Sequence, residues 1–103
     1  MTDERAQLPF NEEVRRLLED RGWSIRRLAH ETGFDPTFIS RVLNRRRYKT
    51  PTLRLVEAVA RAFDLPPAHF AEFRELFLVA EIKANPDLRD RLFDDVVRPT
   101  ATR

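Results

Sequence analysis

Residues 24–43 read SIRRLAHETGFDPTFISRVL, and the fold turns on this stretch. Ser24 has a hydroxyl that can accept an N–H from a first helical turn, which marks it as an N-cap. Ile25, Leu28 and Ala29 then recur at helical spacing and predict a short helix to about Glu31. Thr32-Gly33-Phe34 follows as a tight turn, because Gly33 can take positive φ without steric cost. Asp35-Pro36 restarts the chain as a helix, with Asp as the cap and Pro at the first helical position. That second helix is expected to end near Leu43, with Phe38, Ile39 or both, and Val42, turned inward. The stretch is therefore two short helices joined by a Gly-containing turn.

The surroundings are helical too. From Phe10 to Arg21 the apolar residues fall at 10, 14, 17 and 18, the spacing of one helix face. Asn11 is its expected cap, Glu12 and Glu13 suit the positive N-terminal end, and Gly22 stops it. Asn44 to Thr50 reads as a basic loop. Pro51-Thr52 opens a helix with an inward stripe of Leu53, Val56, Val59, Ala60 and Phe63. After a break at Asp64 to Pro67, one further helix is expected from about Ala68 to Ala84. Asn85-Pro86-Asp87 breaks and restarts the chain, and a last helix is expected over 87–97. No β alternation and no internal repeat is visible, so the expected class is all-α.

Composition narrows the chemistry. The chain has 103 residues, enough for one small domain and a short appendage. It has no Cys, which excludes a disulfide scaffold, a cysteine zinc site, an iron–sulfur cluster and thiol catalysis. Two Gly leave no phosphate-cradling loop of the common kinds, and no metal or cofactor is expected. No apolar run is long enough to span a membrane, and the polar start MTDERAQLPF is not expected to be a signal peptide. The expected location is cytoplasmic, nucleoid-associated. His30 and His69 are the only histidines, so an enzymatic reading has little to stand on.

The net charge is only +2, but its placement is uneven. The window Pro36 to Val56 holds Arg41, Arg45, Arg46, Arg47, Lys49 and Arg54 and no acidic residue, +6, which leaves the remainder at −4. Self-repulsion in such a cluster opposes folding, and a polyanion relieves it.

The sequence resembles the phage-repressor and Cro-like (XRE-type) helix-turn-helix family. The matching residues are Val14 to Leu18, Gly22-Trp23-Ser24, Leu28-Ala29, Gly33-Phe34, Ile39 to Val42 and Asn44, then Thr50 to Leu53, Leu55, Ala58 to Ala60 and Phe63 to Leu65. The resemblance covers about residues 10–70. It implies a five-helix, repressor-like, all-α DNA-binding domain whose third helix lies in the major groove. Two positions depart from the family pattern. Ile25 stands where the family often has Gln and is expected to pack. Arg45 stands where it often has Gly, and Asn44 can itself form the turn in the left-handed region. The start of the third helix is also less polar than is usual, which shifts weight toward DNA shape.

The expected base contacts are Pro36, Thr37, Ser40, Arg41 and Asn44, because a recognition helix enters the groove by its N-terminal half. Arg41 is the candidate for bidentate recognition of guanine, with a phosphate clamp or a surface ion pair as the alternative. Arg45, Arg46, Arg47, Tyr48 and Lys49 are assigned to the sugar-phosphate backbone. Ser24, Arg26 and Arg27 are expected beside the flanking strand, with pairing to Glu31 the competing use of the two arginines.

The last third carries Phe70, Phe73, Phe77 and Phe93, half of all the Phe in the chain. It either closes over its own core or forms a two-fold interface, and a homodimer is expected through Phe73, Leu76, Phe77, Ala80, Leu92 and Phe93. The expected organisation is a tail at 1–9, a DNA-binding domain at 10–70, a dimerising helical extension at 71–97 and a tail at 98–103. The expected function is a dimeric repressor that reads an inverted repeat. The alternatives are an antitoxin whose extension binds a small toxin, and a low-specificity architectural DNA protein.

Overall fold

A computed structural model describes residues 7–101, with side chains described as far as Val97. The parts of the expected tails at 1–6 and 102–103 lie outside the described residues. Six α-helices follow one another: α1 (Phe10–Arg21), α2 (Ile25–Thr32), α3 (Pro36–Val42), α4 (Leu53–Ala62), α5 (Phe73–Ala84) and α6 (Pro86–Ala101). A 3₁₀ turn at Pro67–His69 joins α4 to α5, and no strand occurs among the described residues.

Local chemistry sets most helix ends. Ser24 Oγ accepts the Arg27 N–H at 3.0 Å, and Thr52 Oγ1 accepts the Leu55 N–H at 3.2 Å. Asp35 Oδ2 accepts the N–H groups of Thr37 and Phe38 at 2.9 and 3.1 Å, with Pro36 at the first helical position. Gly22 and Gly33 end α1 and α2 at φ of 68° and 79°, where a Cβ would be strained.

The inward faces of α1 to α4 form one core. Val14 and Leu28 are fully buried, and Ile39, Val42 and Leu43 of the α3 region join Leu55, Val56, Val59 and Phe63 against them. Trp23 stacks on Phe63 with ring centroids 5.0 Å apart. Ile25 packs on the edge of this core, as expected. Of the pair Phe38 and Ile39, Ile39 is the core residue, whereas Phe38 stays at the rim and stacks on Phe34 at 5.7 Å.

Four expectations are corrected. Asn11 does not cap α1. Pro9 holds the cap position without a side-chain bond, and the Phe10 N–H donates instead to Glu72 Oε2 at 3.0 Å, from beyond α4. Asn11 lies inside, 3% exposed, with its amide donating to the Asn44 carbonyl at 3.1 Å. Asn44 is not left-handed, because its side chain shapes the turn by another route described below; among the described residues only Asp64 is a non-Gly residue at positive φ.

The helix expected over 68–84 is interrupted. Phe70 is extended (φ −92°, ψ 134°), which drops its ring into the core against Phe10 at 5.1 Å, and α5 starts only at Phe73. The last helix runs on to Ala101, so residues 98–101 of the expected C-terminal tail are helical.

Burial of Phe70 is supported by a polar tie. Glu13, 7% exposed, accepts two hydrogen bonds from Arg16 (3.0 and 2.6 Å) and lies 2.6 Å from His69 Nε2. Burial pushes the Glu13 carboxyl up, but the hydrogen bonds and charges of Arg16 and His69 outweigh it and hold it below the usual range.

The first turn of α5 closes over this core through Phe73 and Leu76, and α6 continues from α5 with its side chains exposed over 89–97. The radius of gyration is 16.9 Å, against the ~13 Å of a compact chain of this length, because α5 and α6 project from the body.

Candidate nucleic-acid interface

Positions 39, 42 and 43 anchor α3 in the core, and that rotation fixes what faces out. Pro36, Thr37, Ser40, Arg41 and Asn44 are all exposed on the opposite side. Asp35, the one acidic group at the start of the helix, has its carboxylate tied to two backbone N–H groups. Among the described residues Arg41 has no ion-pair partner.

The loop after α3 is built by Asn44. Its Oδ1 accepts the N–H of Arg46 at 2.8 Å and of Arg47 at 3.3 Å, a side-chain-closed turn. This turn throws Arg45, Arg46 and Arg47 outward in succession, all exposed. It also commits the Asn44 oxygen to the protein, which a base-reading role would have to displace.

Two hollows flank the turn. One, about 540 Å³, is lined by Arg41, Asn44, Arg46, Arg47, Tyr48 and Lys49. The other, about 550 Å³, is lined by Arg15, Ser40, Asn44, Arg45 and Arg46. Neither contains an acidic side chain, so the surface from α3 to Lys49 is continuous and cationic. Such a surface, set beside an exposed helix, suits a phosphate backbone with base edges between.

A family model described as a helix-turn-helix domain matches residues 10–73. The chain belongs to the helix-turn-helix family. No curated protein matches it. The helix-turn-helix match ends at Phe73, on the same first turn of α5 that closes the core. DNA binding follows from membership, and domains of this family are typically non-enzymatic.

Within the helix-turn-helix, α2 and α3 place the remaining candidates unequally. Ser24 Oγ is occupied as a cap. Arg27 pairs with Glu31 at 3.0 Å and lies over the Trp23 ring at 4.5 Å, so its charge serves the fold. Arg26 is exposed and has no ion pair among the described residues. Arg45 has a weak one, 3.7 Å from Glu12 across exposed surface, worth little against a phosphate. Tyr48 is drawn away from its expected phosphate: its hydroxyl donates a short hydrogen bond to Glu72 Oε2. Burial and the Glu72 carboxylate together hold its proton well above the usual range.

Three residues of this region were not among the sequence candidates. Glu72 receives both the Phe10 N–H and the Tyr48 hydroxyl, joining the start of α1, the basic loop and the extension. Asn11 and Arg15 of α1 donate to the carbonyls that follow α3, Asn11 to that of Asn44 and Arg15 Nε to that of Leu43 at 2.8 Å. No local pattern announces any of the three. The Arg15-Arg16 doublet shows two equal charges, and only the fold distinguishes them.

The helical extension divides. Phe73 and Leu76 turn to the core of the same chain, and Ala80 is half-buried. Phe77 (41% exposed), Leu92 (40%) and Phe93 (63%) face out together with Leu78, Val79, Val96 and Val97. No group of three or more His, Cys, Asp or Glu among the described residues is placed to hold a metal, and no described helix is long and apolar enough to cross a membrane.

Proposed function

We propose that the protein is a sequence-specific transcriptional regulator of the XRE kind, a dimeric repressor that reads an inverted repeat of double-stranded DNA through α3. The observation that carries this reading is the exposed face of α3 running without an acidic interruption into the Arg45–Lys49 surface. Pro36, Thr37, Ser40 and Arg41 are the base readers. Asn44 shapes the turn beside them, and Arg26, Arg45, Arg46, Arg47 and Lys49 hold the backbone. Selection of bound fragments from random DNA gives the half-site and its spacing, which for two such units is about one helical turn, ~34 Å. Recovery of no shared sequence would leave the low-specificity architectural reading in its place.

Arg41→Ala is expected to weaken binding to the selected site by roughly 1–3 kcal/mol while leaving random DNA almost unchanged. Binding isotherms on both DNAs measure this. Equal losses on the two would make Arg41 a phosphate clamp.

The exposed apolar residues of α5 and α6 support the dimer. A small domain rarely leaves so many large apolar side chains on two adjacent helices unless a partner covers them. The second copy is the occupant proposed here; the antitoxin reading assigns the same face to a small toxin. Substitution is a cleaner probe than truncation, because Phe70, Phe73 and Leu76 belong to the monomer's core. Light scattering should find the native chain at twice its monomer mass and the Phe77→Asp/Phe93→Asp variant at one. The variant should keep its helical content and lose cooperative binding to paired half-sites. A monomeric native chain would remove the dimer and leave the face to a different protein.

A further inference from the structure

We propose that Arg15 of α1 is a DNA-phosphate ligand, completing with Ser40, Arg45 and Arg46 a cradle for one backbone phosphate beside the recognition helix. The inference rests on the DNA-binding reading above and adds to it a residue from outside the helix-turn-helix proper.

The two arginines of the doublet have opposite fates. Arg16 is neutralised on both sides, by Glu13 at 2.6 Å and Asp20 at 2.9 Å. Arg15 meets no carboxylate among the described residues; its one hydrogen bond runs from Nε to the Leu43 carbonyl at 2.8 Å. That bond uses one donor of a guanidinium that has five in a fixed fork. The terminal nitrogens remain for an anion, and Arg15 lines the same 550 Å³ hollow as Ser40, Arg45 and Arg46. Three arginines line it with Ser40 and Asn44 and no acidic residue, and among the described residues the one carboxylate near them is Glu12, 3.7 Å from Arg45 Nε across exposed surface. The ligand class this chemistry selects is a phosphodiester oxygen.

The carbonyl anchor explains why an arginine rather than a lysine suits the position. Held at Nε, the side chain is half-buried and already aimed before DNA arrives, so binding orders it less. The same bond ties α1 to the end of α3, so the phosphate contact and the seating of the recognition helix share one side chain.

The test uses the full chain with Arg15→Gln and Arg15→Lys, measuring DNA affinity against salt and, separately, thermal stability. Removing one phosphate ligand from each protomer makes the log–log salt slope shallower by about 0.9 per protomer bound, about 1.8 for the dimer, so between 50 and 200 mM salt dimeric Arg15→Gln should lose about 12-fold less affinity than the native chain. The change should be the same on the selected site and on random DNA. Arg15→Lys keeps the charge but not the forked anchor, and its slope should stay near that of the native chain. A native slope in Arg15→Gln overturns the proposal whatever happens to its melting temperature. So does an Arg15→Lys slope as shallow as that of Arg15→Gln, since a bracing role alone predicts that the two variants behave alike. If the native chain itself shows no salt-dependent binding to any DNA, the DNA-binding reading fails first and this one with it.

Discussion

Replacing Arg45, Arg46 and Arg47 together by Ala is expected to weaken binding to every DNA alike. Without these three phosphate ligands the salt slope should fall by about 2.7 for each protomer bound, so across 50–200 mM salt the native chain loses roughly 40-fold more affinity per bound protomer than the variant. The comparison is a clean one because the turn does not depend on these side chains. Asn44 Oδ1 holds it through the backbone N–H groups of positions 46 and 47, which Ala keeps. Removing three neighbouring cations should if anything raise thermal stability slightly, since they repel one another in the free protein. Salt titrations on the selected site and on random DNA read the effect. An unchanged slope would move the phosphate ligands elsewhere on the surface. A loss confined to the selected site would make these residues readers of sequence.

The second large effect concerns the fold. Phe63→Ala is expected to cost about 3–5 kcal/mol, a large share of the roughly 5–15 kcal/mol available to a domain of this kind. Phe63 is fully buried and stacks on Trp23, and its carbonyl accepts a hydrogen bond from Arg21 at 2.9 Å. Its ring therefore joins the end of α4 to the α1–α2 turn, and Ala would leave a cavity where three helices meet. Phe63→Leu, which keeps most of the volume, should cost far less. Urea unfolding followed by helical circular dichroism measures both. An alanine variant within about 1 kcal/mol of the native chain would show that the site collapses onto a smaller side chain, contrary to the usual cost of such a cavity.

The two variants act on separable quantities. Both sites lie within the matched helix-turn-helix region, yet one set of side chains is buried and the other points to solvent. Phe63→Ala lowers DNA binding only as far as it depopulates the folded state. The triple Arg variant changes the salt slope of a chain that stays folded.

How much of this is legible in the sequence depends on the range of the interaction. Ser24, Asp35-Pro36 and Thr52 act within three residues of themselves, so their caps are readable as they stand. Gly22 and Gly33 are readable for the same reason, since each ends a helix by its own backbone freedom. The exposed face of α3 follows from helical periodicity once its anchors are known. Asn11 and Asn44 mislead because each has a plausible local use as cap or left-handed turn. The fold uses Asn11 across 33 positions, and it uses Asn44 through its side chain instead of its backbone. Spacing alone places Phe70 in a helix, but the demand of its ring for a place beside Phe10 outweighs the local preference of the segment.

By itself, then, the sequence determined an all-helical chain, a helix-turn-helix at Ser24–Leu43 and a cationic window behind it, because each is written in spacings of a few residues. The tertiary structure alone decided which member of the Arg15-Arg16 doublet is neutralised and which faces the hollow. It decided that Tyr48 belongs to Glu72 and that Phe73 and Leu76 close the monomer while Phe77 and Phe93 stay outside. Arg16 keeps to its helical neighbours Glu13 and Asp20, but the bonds that place Arg15, Tyr48 and Glu72 join residues 24 to 62 positions apart. At such separations no periodicity of the chain predicts a partner, and only the packing of α1, α3 and the start of α5 against one core brings the groups together.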